Sequence, residues 1–487
     1  STQVCGLWPL VAGSARPTVG VPLGWDLLTG TTVSCDPVSW FRAGLIANPS
    51  ALMLGRPGLG KSSTAVRMVI GLAARGIAPM ILGDLKPDYV EVVRALGGQV
   101  ITLGRGRGQI NVLDPGAMAE AAERIGGPAG QRLRQEARDR SLQMVAALVA
   151  IVRRSPLADH EEMLLAEALR LLDARHRGIP TLLDLIALLE EGPESLQTAA
   201  LARGQEGTYR GAADGVQKSL QAVIAGPLGG TFAGQTTTRI PLDSNGICVD
   251  ISSLSESDDR LTAAVMLATW SDGFGAIEAA GALADAGLAP QRSWLVVLDE
   301  LWRPLRIGAG LPDRMDAITR TNRSLGVAQL MITHTLADLE SMSDTADRMK
   351  ARGFAERAGM LMFAGLPRRE LQRLTGIADL SQPEIDMVAS WSTPASWASR
   401  AGEDGRPATP PGAGRMMIKI GARPGIPVHV HLTEARSVCT TPTPGGRRPT
   451  SEPQEPLRAV HRYLRGQPAG LAGGAGRGGR GRRVRLA

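Results

Sequence analysis

The segment Gly55–Ser62 has the residues and spacing of a phosphate-binding loop. Its order, Gly-Arg-Pro-Gly-Leu-Gly-Lys-Ser, matches G-x-x-x-x-G-K-[ST], in which the glycines let backbone N–H groups point at a phosphate. Lys61 can reach the β- and γ-phosphates, and Ser62 can ligate Mg²⁺. A coincidental glycine-rich turn is disfavoured because a strand-like run precedes the loop and an apolar helix follows it. The residues predicted to contact a nucleotide are Gly55, Arg56, Pro57, Gly58, Leu59, Gly60, Lys61, Ser62 and Ser63.

Such a loop needs an acidic partner at the end of another strand. The apolar run Trp294–Leu298 is followed by Asp299 and Glu300. Asp299 would hold the Mg²⁺ shell through water, and Glu300 would orient and deprotonate the attacking water. The alternative is that both acids only end a strand, and the phosphate loop favours the catalytic interpretation.

Basic side chains follow this acidic pair along the chain. Arg320 and Arg323 lie on a predicted helix, and the strand-like run Val327–Ile332 ends at Thr333 and His334. His334 could sense the γ-phosphate from a neighbouring strand, although a capping or surface histidine is the alternative. The arginines could act on the phosphate of a neighbouring subunit or could lie on a solvated helix face.

Short apolar runs alternate with helical patterns on both sides of the loop, which predicts an α/β fold with a parallel sheet. Helical periodicity dominates between these runs, and it places Met163, Ala166, Leu169 and Leu172 on one apolar helix face. Two short runs around Arg423-Pro424-Gly425 predict a hairpin. We therefore predict an entry segment (1–50), an ATPase domain in two pieces (51–116 and 226–436), an all-helical insertion (117–225) and a disordered basic tail (437–487).

Composition excludes collagen, a disulfide-stabilised mini-protein and a wholly disordered chain. Of 487 residues, 43% are hydrophobic, 21% are charged and 3% are aromatic, as in a globular protein. Residues 441–487 carry ten arginines and two glutamates, a net charge of +8, so residues 1–440 carry −1. The four cysteines are far apart, which disfavours a zinc site or a disulfide framework. We expect no membrane span and no signal peptide, and the start at Ser1 leaves room for missing upstream sequence.

The motifs together resemble the conjugative-transfer and type IV secretion ATPases of the HerA–FtsK group, including TraC-like and TraG-like proteins. Gly55–Ser62 is the phosphate loop of that family, Gly83–Tyr89 is similar to its D-P-K-G-E-Y segment, and Gln109–Asp114 is similar to its N-P-L-D segment. The order of Asp299-Glu300, Arg323-Ser324-Leu325-Gly326 and Thr333-His334 follows the family's Walker B, arginine-finger and sensor order.

The resemblance implies a RecA-like domain that binds ATP and Mg²⁺, with Arg323 as an arginine finger acting in trans. It also implies a hexameric ring on the cytoplasmic face of the cell membrane, with membrane-embedded channel proteins as partners and DNA in the pore or on the tail. The family sensor is usually Gln, whereas this chain has His334, and Val112 stands where the family often has Pro.

Four functions fit these features. The first is an ATP-hydrolysing motor for transfer through a secretion or conjugation channel, and the second is a DNA translocase inside the cell. The third is a nucleotide-binding assembly subunit without sustained turnover, which would not need the base that Glu300 provides. The fourth, a nucleic-acid-binding protein that depends on its basic tail, is disfavoured because the rest of the chain is nearly neutral and poor in aromatic residues.

Overall fold

A sheet of eleven strands runs through the part of the chain that the structure describes. The structure is a computed structural model, and it describes residues 17–104, 106–201, 205–255, 258–307, 326–339, 345–393 and 410–432. The strands are β1 (Pro22–Asp26), β2 (Thr32–Ser34), β3 (Ser50–Leu54), β4 (Ala78–Asp84), β5 (Gln99–Thr102), β6 (Ile247–Asp250), β7 (Trp294–Leu298), β8 (Val327–Thr333), β9 (Met360–Phe363), β10 (Arg415–Lys419) and β11 (Ile426–Val430).

The sheet is parallel in its larger part and antiparallel at one edge. Its order is β2-β1-β11-β10-β9-β3-β8-β7-β4-β6-β5. The strands from β9 to β5 in this order run parallel, whereas β10, β11, β1 and β2 pair antiparallel. Because parallel strands end at the same edge, the loops after β3, β4, β7 and β8 meet there, as in other open α/β sheets.

Helices surround this sheet. They are α1 (Pro37–Arg42), α2 (Lys61–Ala73), α3 (Val90–Ala95), α4 (Gly116–Ile125), α5 (Gly127–Arg153), α6 (Asp159–Arg175), α7 (Leu182–Glu191), α8 (Glu194–Ala199), α9 (Glu206–Ala225), α10 (Gly229–Phe232), α11 (Asp259–Asp285), α12 (Trp302–Ile307), α13 (Leu336–Leu339), α14 (Thr345–Arg357), α15 (Arg368–Leu374) and α16 (Gln382–Ser390). Within the described ranges, no helix combines the length and apolar character that crossing a membrane requires.

Both faces of the sheet are buried, which explains why its central strands are continuous apolar runs. In β3, Leu52 and Leu54 belong to one hydrophobic cluster, and Ala51 and Met53 belong to the other. The first cluster extends into the helices between β5 and β6, and the second contains the apolar face of α2. The phosphate loop that follows β3 is therefore held by a strand packed on both sides.

The helices α4–α10 lie between β5 and β6, where the sequence predicts an insertion. One detail of the helical prediction is wrong, because Met163 is 49% exposed while Leu164 and Leu165 are fully buried. Helix α6 contacts α5, α7, α8 and α9, so it buries a wide surface. The prediction assumed a helix with a single narrow apolar face, and for that reason it wrongly placed Met163 on the buried side.

The predicted α/β class with a largely parallel sheet is confirmed, and so is the hairpin, formed by β10 and β11. Residues 22–34, predicted to belong to an entry segment, contribute β1 and β2, and β1 pairs with β11. The division into domains stays a prediction. Arg320, Arg323 and the basic tail (437–487) lie outside the described residues.

Candidate nucleotide-binding site

The phosphate loop connects β3 to α2, and Lys61 is the first residue of that 13-residue helix. Gly58 and Gly60 have φ angles of 79° and 95°, a region that residues with a Cβ rarely adopt. A Cβ at Gly60 would also lie only 3.2 Å from the backbone nitrogen of Gly414. The loop therefore needs its glycines for conformation and for space, and the positive end of α2 faces it.

Three backbone hydrogen bonds hold the loop against neighbouring strands. The N–H of Gly55 donates to the carbonyl of His334 after β8 (2.9 Å), and that of Arg56 donates to the carbonyl of Gly365 after β9 (3.1 Å). The carbonyl of Leu59 accepts from the N–H of Gly414, just before β10 (3.1 Å). The loop is thus held by hydrogen bonds within the protein itself, which lowers the entropy cost of binding a phosphate.

A cavity of about 730 Å³ opens over the loop. Of the residues predicted to contact a nucleotide, those that line the cavity are Pro57, Gly58, Gly60, Lys61, Ser62 and Ser63. Gly55, Arg56 and Leu59 are not in its wall, and Leu59 is buried in the core. These three support the loop, and the nucleotide contacts of the other six stay a prediction.

Lys61 is buried at the base of this cavity and bonded to its own loop. Its Nζ donates to the carbonyl oxygens of Gly55 (2.6 Å) and Arg56 (3.2 Å). Burial lowers the pKa of Lys61 to about 8, while the charges of Asp299 and Glu300 oppose this shift. A phosphate would replace weak carbonyl partners by full negative charges, which favours the ammonium form.

Glu300 is 6% exposed, and three side chains donate to its carboxylate. Lys86 Nζ lies 3.0 Å from Oε1, whereas Trp302 Nε1 and His334 Nε2 lie 2.7 Å and 3.3 Å from Oε2. Burial acts to raise the pKa of Glu300, but the hydrogen bonds from His334 and Lys86, together with the charge of Lys86, outweigh it and hold the pKa well below its usual range. Glu300 also has a φ of 52°, a strained conformation for a residue with a side chain.

His334 connects the lysine of the phosphate loop to the acidic residue. Its Nδ1 lies 3.2 Å from Lys61 Nζ, and its Nε2 lies 3.3 Å from Glu300 Oε2. Because an ammonium group can only donate, Nδ1 accepts, and the ring proton is therefore on Nε2 and points at the carboxylate. The predicted sensor is thus in contact with both the predicted phosphate ligand and the predicted base.

Asp299 and Ser62 line the same cavity and offer oxygen ligands of the kind that Mg²⁺ prefers. Asp299 accepts from the hydroxyl of Tyr89 (3.1 Å) and from the N–H of Glu300 (2.8 Å), which leaves lone pairs on both oxygens. Burial, with the charge of Glu300 as a second cause, raises the pKa of Asp299 to about 6. A divalent cation nearby would lower it again, so these residues fit Mg²⁺.

No group of three acidic, histidine or cysteine residues that could bind a metal by itself occurs among the residues described. In nucleotide sites, one or two protein oxygens usually hold Mg²⁺ together with phosphate oxygens and water. Ser62 and Asp299 would therefore hold the ion only together with a nucleotide.

Sequence reasoning assigned no role to Lys86, Tyr89 or Trp302, all of which contact the acidic pair. The first two belong to the segment Gly83–Tyr89, which the family resemblance had already selected, so a signal for them existed. That segment is folded around Asp84, whose carboxylate accepts from the N–H groups of Asp88 (3.0 Å) and Tyr89 (2.9 Å). Nothing in the sequence distinguishes Trp302.

Neither the known protein-family models nor the curated proteins give a match to this chain. Solved structures do, and one of them is VirB4 of Thermoanaerobacter pseudethanolicus, with a TM-score of 0.64 and 19% sequence identity. The match covers 87% of this chain and 99% of that one. The chain has the RecA-like fold of VirB4.

A second similar structure is the plasmid coupling protein TrwB in complex with the non-hydrolysable ATP analogue ADPNP. Its TM-score is 0.50 at 14% identity, and the match covers 79% of this chain and 86% of that one. The RecA-like fold predicted from the family resemblance is confirmed by the comparison with VirB4.

Proposed function

We propose that this chain is an ATP-hydrolysing motor of a conjugative DNA-transfer or type IV secretion system. The observation that carries the proposal is the placement of Lys61 and Glu300 in one cavity, with His334 in contact with both. A protein that only binds nucleotide needs the phosphate loop after β3. It does not need a buried carboxylate such as Glu300 after β7, which lies two strands away in the sheet. The similarity to VirB4 and to the plasmid coupling protein TrwB supports the choice of transport system.

In the proposed reaction, Lys61 leaves the carbonyls of its own loop and binds the β- and γ-phosphates of ATP. Glu300 accepts a proton from the water that attacks the γ-phosphorus, and the bond to the β-phosphate oxygen breaks to give ADP and phosphate. Ser62, and Asp299 through water, would hold Mg²⁺, which would supply positive charge to neutralise the phosphates.

His334 gives this site a direct connection between substrate binding and the base. When Lys61 turns to the phosphates, Nδ1 of His334 loses its hydrogen-bond donor. The imidazole ring is then held only by the hydrogen bond from its Nε2 to Glu300, so the ring can move more easily. Glu300 accepts from three donors, and such a carboxylate is a weak base. The arrival of ATP would therefore loosen one of the contacts that keep it inactive.

We further infer that the motor works as a hexameric ring at the cytoplasmic face of the cell membrane. Its partners would be membrane-embedded channel proteins, and its substrate would pass through the ring, with DNA contacts in the pore or on the basic tail. The +8 charge of residues 441–487 supports a contact with phosphates.

The transfer role is tested in cells that carry the gene together with a conjugative element. Deletion should reduce transfer of the element to the background frequency, and the wild-type gene should restore it, whereas a gene with Lys61→Ala should not. Chromosome segregation, measured as the fraction of cells without DNA, should stay normal. Normal transfer combined with defective segregation would contradict this role and favour a DNA translocase inside the cell.

The ring is tested by mixing two inactive variants. Arg323, proposed as the trans finger, would stabilise the phosphate charge of the neighbouring subunit, since a guanidinium fork fits two phosphate oxygens. Arg323→Ala should bind ATP almost normally and hydrolyse it poorly. Mixed with Lys61→Ala subunits, it should regain part of the activity because one interface in the ring can combine an intact loop with an intact arginine. Co-assembled mixtures with no more activity than either variant would refute this arrangement.

A further inference from the structure

Two histidines stand at the end of the cavity that lies away from the acidic residues. His429 on β11 and His431 just after it both line the cavity and are exposed. The strand β3, which carries the phosphate loop, separates the two ends: β8, β7 and β4 lie on its one side, and β9, β10 and β11 lie on the other. Of the five histidines that the structure describes, three therefore line this cavity, one at the acidic end and two at the opposite end.

Trp25 adds an indole ring to this pair. It pairs directly with His429 in the antiparallel ladder of β1 and β11. Its ring lies 4.9 Å from that of His431, centroid to centroid, at an angle of 57°. Trp25 is 46% exposed, in contrast to the fully buried Trp40 and to Trp270. We call these three residues, Trp25, His429 and His431, the aromatic shelf.

The aromatic shelf is fixed rigidly to the phosphate loop through Gly414. The N–H of Gly414 donates to Leu59 (3.1 Å), and its carbonyl accepts from the N–H of Val430 (2.7 Å). A Cβ on Gly414 would lie 3.7 Å from Nε2 of His429, so the imidazole lies beside this glycine. The distance between the loop and the shelf is thus set by backbone hydrogen bonds and does not depend on flexible side chains.

The direction of a bound nucleotide follows from this arrangement. The γ-phosphate must lie next to Lys61 and Glu300, because water is activated there. A triphosphate is a linear chain, so the nucleoside must leave the loop on the other side, past Ser63 and towards β11, where the cavity continues. Planar rings are the groups on which a nucleobase stacks, and stacking on an aromatic side chain contributes substantially to binding.

We propose that the aromatic shelf is the subsite for the nucleobase of the nucleotide, which His429 and His431 bind by stacking while Trp25 supports the ring of His431. This inference rests on the proposed function because it takes ATP as the ligand of the phosphate loop. If the inference is correct, the aromatic shelf on β1 and β11 makes the protein bind ATP more tightly than a triphosphate chain without a nucleoside.

The experiment compares ATP with tripolyphosphate, which has the phosphates of ATP but no nucleoside. Dissociation constants of both, with Mg²⁺, are measured by calorimetry for the full chain and for His429→Ala, His431→Ala and the double variant. His160→Ala on α6 is the control, because His160 is also exposed and lies outside the cavity wall. We expect the double variant to bind ATP about ten-fold more weakly, while its affinity for tripolyphosphate changes less than about two-fold. The control should match the wild type with both ligands.

Two results would overturn the subsite. ATP affinity that is unchanged in the double variant would mean that the base does not contact the shelf. Equal losses for ATP and tripolyphosphate would mean that the histidines only support the loop. Failure of the proposed function looks different, because the wild-type protein would then bind neither ligand and the inference would fall with it. Trp25→Ala serves as a third variant and should show the same selective loss as His431→Ala.

Discussion

Replacing Lys61 by alanine should lower the rate of ATP hydrolysis by about 10³-fold or more while leaving the fold intact. The ammonium group is the cation that the loop places in the cavity, and it compensates charge on the β- and γ-phosphates as the bond between them breaks. Its hydrogen bonds go to the carbonyls of Gly55 and Arg56 and to the ring of His334, so its removal breaks no hydrogen bond to a charged partner. Steady-state release of phosphate from ATP with Mg²⁺ measures the effect.

Lys218→Ala is the matched control, because this lysine lies on the surface of α9 with a side chain that is 75% exposed. Its variant should hydrolyse ATP at the wild-type rate. Circular dichroism and thermal unfolding of both variants should match the wild type, which separates a catalytic loss from a folding defect. Wild-type turnover in folded Lys61→Ala protein would show that Gly55–Ser62 is not the catalytic phosphate loop.

Local patterns predicted the elements that carry the site. The strand β3, the glycine-rich loop and α2 follow each other directly in sequence, so hydrophobic pattern and loop composition were sufficient to place them. The same holds for β7 and β8, whose apolar runs end at Asp299 and at Thr333. Because parallel strands end at a common edge, the expectation that Glu300 and His334 would meet Lys61 followed from strand direction alone.

Contacts between distant segments could not be read in the same way. The pairing of β1 with β11 joins residues about 400 positions apart, and no pattern within residues 22–34 selects that partner. The same limit applies to Lys86 and Trp302, whose bonds to Glu300 depend on how loops after different strands fold over the cavity. The aromatic shelf is a product of this pairing, since it brings Trp25 next to His431.

Replacing Glu300 by glutamine should separate nucleotide binding from hydrolysis. The amide keeps the shape of the side chain but cannot accept the proton of water, so we expect turnover to fall by about 10²–10⁴-fold. ATP binding with Mg²⁺ should stay close to that of the wild type, because Lys61 and the loop are unchanged. Binding is measured by calorimetry and turnover by phosphate release, and light scattering should detect an assembled, ATP-loaded state.

The contacts of Glu300 indicate why this variant should still fold. The amide oxygen of the glutamine can accept from Trp302 and His334, as Oε2 of Glu300 does in the wild type. The amide nitrogen would then face the ammonium of Lys86, which is a repulsive pair of donors. The side chain of Lys86 is 51% exposed and can turn to water, which limits the cost. Glu162→Gln on the exposed side of α6 is the matched control and should change neither quantity. If Glu300→Gln lost nucleotide binding as severely as hydrolysis, Glu300 would be a structural residue that holds Lys86, Trp302 and His334 in place, and the base would have to be sought elsewhere.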